Sequence, residues 1–275
     1  MQVAEIFEKA SGKLPMIPKV VQELVNSFNR SDAINSDEIA NTVGHDQILT
    51  ARVLRLANSA RYGGNRKVGS LDDALIILGF DNLRVLVIAS GVTGATANIP
   101  NFDLKSFWQR CFQIASTSKL LAQLAHQNQQ IAFTCGLLAR IGELVLHVAL
   151  PESTPEIERR VAEGQERMAV EQTLLGVDSA QVGAELAWRW SFPENIVQAI
   201  GQQHQLTGAE DTLELATRIS TARLIVHGFN HQQDGTAIQE HISKETLATI
   251  GLTPEQFAAA LPELKDSSTM IDDLL

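Results

Sequence analysis

The sequence predicts an all-α protein, and three observations carry that expectation. Apolar residues recur at three- and four-residue steps through most of the chain. Alternating β-branched runs are absent, and aromatic residues make up only 5%. The few Val and Ile clusters fall inside helical patterns. At 275 residues, with 44% apolar and 20% charged residues, the chain can bury a substantial core.

In chain order, residues 3–10 read as a short helix, followed by the rigid entry Leu14-Pro15-Met16-Ile17-Pro18. Pro18 suits a first helical turn, and Val20, Val21, Leu24 and Val25 continue it. Ser36 and Asp46 are expected N-caps for the next two helices. Tyr62–Asn65 reads as a loop. Ser70 with Asp73 resembles a capping box, and Gly79 ends or bends that helix. Asp81 starts another helix, and the small, polar stretch from Gly94 to Asn101 is the best internal boundary. A long helix is expected over about 104–126, then a long apolar one over about 130–149, stopped by Pro151. Shorter helices follow at 155–164, 167–175, 179–190, from Pro193, at 213–229, near 243–250 and at 254–261, with a polar end at 265–269. The expected division is 1–98, 99–210 and a C-terminal helical extension, 211–275.

Charge and cysteine content narrow the function classes. A formal net charge of −10 disfavours general nucleic-acid binding, which needs a basic surface. Cys111 and Cys135 both fall on apolar helical faces, as buried thiols do in a reducing compartment. The N-terminus carries acids and no long apolar core, unlike a signal peptide. No run of about 18 apolar residues appears, so no membrane span and no membrane partner are expected. These readings together place the protein in the cytoplasm.

The chemistry-bearing residues are few. Within FTCGLLARIGELVLHVALP, Gly136 and Gly142 sit in an apolar helix, which implies close packing against their backbone. Arg140 lies three residues before Glu143, and pairing between them is the plainest expectation; an anion held by Arg140 is the sharper one. His147 reads as a hydrogen-bonded core histidine and His204 as a surface or capping one; the other five show no HxxH or HExxH spacing. No GxSxG, CxxC or phosphate loop is present. Between Asp46 and Asp72 the chain has no acid, while Arg52, Arg55, Arg61, Arg66 and Lys67 form a possible docking patch for an acidic partner or a nucleotide. Asn58 and Ser59 are expected to lock the end of their helix.

Several ordered segments resemble one family. LPMIPKVVQEL, HDQILTARVLRLANSARYG and VGSLDDALIILGFDNLRVLV look like successive signatures of the HDOD domain, the HD-related output domain of bacterial signalling proteins. FWQRC, GLLARIGELVL, VGAELAWRW and AIGQQHQ extend the resemblance across about 14–205. It implies an N-terminal helical part packed on an HD-like helical bundle, with family-signature structural positions at Asn58, Ser59, Gly79, Gly136 and Gly142. It also implies degenerate metal-site positions. The usual text GLLHDIGK reads GLLARIGE here, so the His-Asp pair is Ala139-Arg140. Arg110 and Ser179 stand where the family often has His, and of the His pair in AIxxHH only His204 survives beside Gln203. Arginine cannot deprotonate near neutral pH and repels a divalent cation, so Arg110 and Arg140, converging as the resemblance implies, would make the cavity cationic. No catalytic residue, metal or cofactor is therefore expected. The favoured reading is a non-catalytic regulatory module that acts on a protein partner in a signalling pathway. The alternatives are a metal-dependent phosphohydrolase and a nucleotide-binding sensor without turnover.

Overall fold

The computed structural model describes residues 1–14, 16–26, 43–44, 47–58, 67–79, 83, 87–88, 99, 102–204 and 210–269. The described residues are all helix, turn or coil, with no strand. Expectations resting on Ser36, Asp46, Ser59, Tyr62–Asn65, Asp81 and Gly94–Asn101 lie outside them, as do Arg61, Arg66 and the side chain of Arg52. Of the basic patch, Arg55 and Lys67 are described, and both are exposed.

The N-terminal part contributes α1 (Val3–Lys9), α2 (Lys19–Asn26), α3 (Gln47–Ala57) and α4 (Leu71–Leu78). Ser70 caps α4 by accepting from the Asp73 N–H at 3.0 Å, and Gly79 ends it at a φ of 75°. Asn58 secures the end of α3 through three side-chain bonds. Its Nδ2 donates to the Leu54 and Val68 carbonyls, and its Oδ1 accepts from the Val68 N–H. These bonds fit the locking expected of Asn58, but its side chain is exposed, which counts against that expectation.

The bundle begins with α5 (Leu104–Leu124), capped by Asp103, which turns back through residues 125–128 into α6 (Gln129–Leu138). α7 (Ile141–Ala149), α8 (Thr154–Ala162), α9 (Arg167–Leu175), α10 (Ser179–Arg189) and α11 (Glu194–Gln202) complete it. The C-terminal helices are α12 (Glu210–Asn230), α13 (Gly235–Glu240), α14 (Lys244–Thr249) and α15 (Pro254–Thr269). α13 was not foreseen, and α15 runs on through Pro262 and the polar end at 265–269. α12 packs on α5, α6 and α11, and α15 packs on α5. Residues from the N-terminal part, the bundle and the C-terminal helices share a single hydrophobic core.

The long helix expected over 130–149 is two helices. The chain breaks at Ala139-Arg140, and the Glu143 N–H bonds the Arg140 carbonyl, three residues back, at 3.0 Å. The Ala139 carbonyl, freed from the helical ladder, accepts instead from Gln203 Nε2 at 2.9 Å. A side chain 64 residues away thus takes the place of a local hydrogen bond. The stretch 129–149 is apolar enough by composition to cross a membrane, but 89% of its most apolar window is buried in the bundle.

Both glycines of this stretch mark close helix approaches. A Cβ on Gly136 would lie 2.7 Å from Ala115 Cα on α5. One on Gly142 would overlap the Ser179 carbonyl and stand 2.6 Å from the Gly183 nitrogen on α10. Both contacts are with backbone, which a rotamer change cannot relieve.

Candidate functional site

The break at Ala139-Arg140 opens onto a buried network of charges. Arg140, at the start of α7, faces Glu143 one turn later in a fork-to-fork pair: Nε donates to Oε1 at 2.8 Å and Nη2 to Oε2 at 2.5 Å. Glu143 is 2% exposed and Arg140 13%. The Arg140 guanidinium also lies 5.6 Å from the centre of the Phe107 ring. Burial alone would raise the Glu143 pKa, but Arg140 and Arg167 outweigh it and hold the carboxyl well below the usual range.

Arg167, at the first position of α9, continues the network. Its Nη2 donates to both Glu158 oxygens, at 2.9 and 2.7 Å. Its Nε lies 3.6 Å from Glu143, and Nη1 lies 3.4 Å from Glu171. Glu171 is fully buried and accepts from the Ser179 N–H at 2.7 Å, holding the first turn of α10. Burial pushes the Glu171 pKa up, against the pull of that N–H and of Arg167. His147, on α7, sets Nδ1 2.8 Å from the Glu143 carbonyl and Nε2 3.5 Å from Glu158. It is thus the hydrogen-bonded core histidine expected.

On the other side of the break, buried Gln203 donates to the Ala139 and Ile200 carbonyls, both at 2.9 Å. Its Oε1 accepts from Arg223 Nη1 at 2.7 Å, and the same nitrogen lies 3.5 Å from the Ala139 carbonyl. Burial, opposed by Glu143 and reinforced by Arg140 and Arg167, lowers the Arg223 pKa. His204 is partly buried beside it, and burial and Arg223 lower its proton affinity.

The expected positions are therefore only partly gathered. Ala139, Arg140, Ser179, Gln203 and His204 surround the break. Arg110 does not: its side chain is exposed on α5, and its segment supplies Phe107 to the network instead. The convergence of Arg110 with Arg140 is corrected on this point, and the arginines that join Arg140 are Arg167 and Arg223. Arg167, Arg223, Glu158 and Glu171 carried no signal in the sequence beyond being charged residues on helical segments.

The donor set does not fit a divalent ion. Both Glu143 oxygens face Arg140, both His147 nitrogens are engaged, and three guanidiniums stand within the network. Among the described residues no three His, Cys, Asp or Glu side chains gather so as to hold a metal ion. Cys111 and Cys135 are buried and unpaired with each other, and burial pushes both thiols up to about 12.

The family model for the HDOD domain matches residues 14–206, and the chain belongs to that family. Crystal structures share its fold. A candidate phosphohydrolase from Shewanella amazonensis is 33% identical, with a TM-score of 0.79 over 99% of this chain and 98% of that one. An HDOD domain protein from Geobacter sulfurreducens is 23% identical, with a TM-score of 0.82 over the same shares. A candidate signal transduction protein from Marinobacter aquaeolei is 22% identical, with a TM-score of 0.80 over 98% of this chain and 65% of that one. A Treponema pallidum protein without an assigned role is 27% identical over 247 residues, 88% of this chain. The chain spans 47% of that relative's length.

Proposed function

We propose that this HDOD protein is a non-catalytic, cytoplasmic regulatory module that works through contacts with a protein partner. The observation that carries the reading is the fork-to-fork Arg140–Glu143 pair, set where the family resemblance places a metal-binding His-Asp pair. A guanidinium supplies there the positive charge that a metal would otherwise bring, and does so without an exchangeable coordination site. The Shewanella relative's name points towards hydrolysis. That activity is not carried over, because the residues here offer no free carboxylate or imidazole set for a metal-activated water. The alternative of a nucleotide-binding sensor without turnover has less support, since the Arg140 fork is already occupied by Glu143.

The test pairs two measurements on the purified protein. Metal analysis combined with a phosphodiesterase and phosphomonoesterase assay, with Mn2+ or Mg2+ added, should show no turnover above buffer. Affinity capture from the native cell should enrich a defined protein partner. Turnover that disappears in His204→Ala, accompanied by stoichiometric metal, would overturn the reading.

A further inference from the structure

A second polar cluster lies at the far end of α12, outside the charge network. His227 and His231 sit four residues apart, so they share one helical face. Both are exposed, and their ring centres are 4.0 Å apart with a 33° tilt. The turn that carries them is fixed. The His231 N–H bonds the His227 carbonyl at 3.1 Å, and Asn230 Nδ2 donates to Gln113 Oε1 on α5 at 3.1 Å.

One detail sets the chemistry. His231 Nδ1 lies 2.8 Å from the His227 carbonyl oxygen. A carbonyl only accepts, so Nδ1 carries the proton and the Nε2 lone pair is left free. This is the tautomer in which a histidine ligates a metal through Nε2. Burial, His231 and Arg110 together lower the proton affinity of His227. No carboxylate is paired with either ring in the described residues.

We infer that His227 and His231 form a bidentate surface site for a borderline transition-metal ion such as Zn2+ or Ni2+. Two neutral imidazoles on one helical face chelate such ions, and they offer nothing to the oxygen-seeking Mg2+ or Ca2+. Water completes the coordination shell. Arg110 opposes the ion's charge, but it is an exposed cation and salt screens it. A bound ion would tie the last turn of α12 to the connection leading into α13, where Asp234 caps the next helix. The site is independent of the regulatory reading, since it shares no residue with the network around Glu143.

Isothermal titration of the full chain with Zn2+ and with Ni2+ tests the inference. Saturable uptake of one ion per chain is expected, together with a melting temperature that rises with metal concentration. His227→Ala and His231→Ala should each weaken binding by more than the about tenfold that loss of an outer-shell partner costs. Mg2+ should not compete. His241→Ala serves as the control, because His241 makes the same Nδ1 contact to a carbonyl, at 2.6 Å from Ala237, without a second histidine on its face. Both target positions are exposed, so far-UV circular dichroism should show unchanged folding. Uptake that survives in both single variants, moves to His204 or His241, or fails to saturate overturns the assignment.

Discussion

Two arginines, one mostly and one fully buried, have opposite environments. Arg140 spends its fork on both oxygens of a buried carboxylate, and Glu143 raises its pKa despite the cost of burial. Arg218, on α12, is 1% exposed and meets one carboxylate oxygen, Glu214 Oε1, at 2.6 Å. Its second contact, to the Ile250 carbonyl, is long at 3.4 Å, and its Nε finds no acceptor among the described residues. Burial, only partly opposed by Glu214, lowers its pKa. Burial disfavours both charges, and what separates them is how completely the surroundings answer it. At the helix break the answer is a network drawing on six helices, whereas at Arg218 it is a single pair.

The comparison breaks most visibly at Glu143. Glu143→Gln leaves Arg140 and most of Arg167's inner face without their buried carboxylate, and the expected loss is about 3–5 kcal/mol in urea unfolding. The paired change Arg140→Met with Glu143→Leu removes both charges and should recover most of that loss. If Glu143→Gln unfolds like wild type, the network is ornamental and the contrast with Arg218 disappears.

The same carboxylate sets a pH signature. Its folded pKa lies below its ordinary value of 4.5, so its contribution to stability is complete above that value and is lost as pH falls through the folded pKa. Glu171 is shifted the other way, and it favours the fold increasingly as pH falls. Wild type should therefore lose stability between about pH 5 and about pH 3, and Glu143→Gln should lose less across that window. Parallel curves for the two proteins would show that Glu143 is not the group responsible.

Gly142→Ala probes packing beside the network. The added methyl meets the Ser179 carbonyl and Gly183 nitrogen of α10, neither of which can rotate away. The expected cost is about 1–3 kcal/mol, read as a lower melting temperature. A neutral result would mean that α7 and α10 slide apart freely, and the network would then lie across a compliant seam.

Much of this was legible in the chain. Helical periodicity, the cap at Ser70, and the glycines as points of close approach are local or one-dimensional signals. The Arg140–Glu143 pair was also legible, because three residues on a helix put two side chains on one face. The rest of the network was not. Arg223 reaches Gln203 across 20 residues and Ala139 across 84, and no spacing rule encodes that meeting. The helix break was hidden for the same reason: Gln203, which takes up the freed Ala139 carbonyl, sits 64 residues downstream. Arg110 misled because its neighbours in FWQRC follow the family pattern, while its own direction depends on which face α5 presents. Residue 110 points outwards and Phe107, one turn earlier, points in.

The smallest expected effect gives the sharpest form of the comparison. Arg218→Met keeps a long, flexible side chain in the same space and removes a buried charge that its surroundings answer poorly. Glu214, its partner, is 28% exposed and can turn to water once released. The variant should therefore fall between neutral and about 1 kcal/mol more stable than wild type. Arg140→Met, the same substitution on the other arginine, strands Glu143 at 2% exposure with only the more distant Arg167 and should be strongly destabilising. Unfolding curves of the two variants side by side decide the matter. Equal losses would mean that burial alone governs both arginines, and a large loss confined to Arg140→Met would assign the difference to the network.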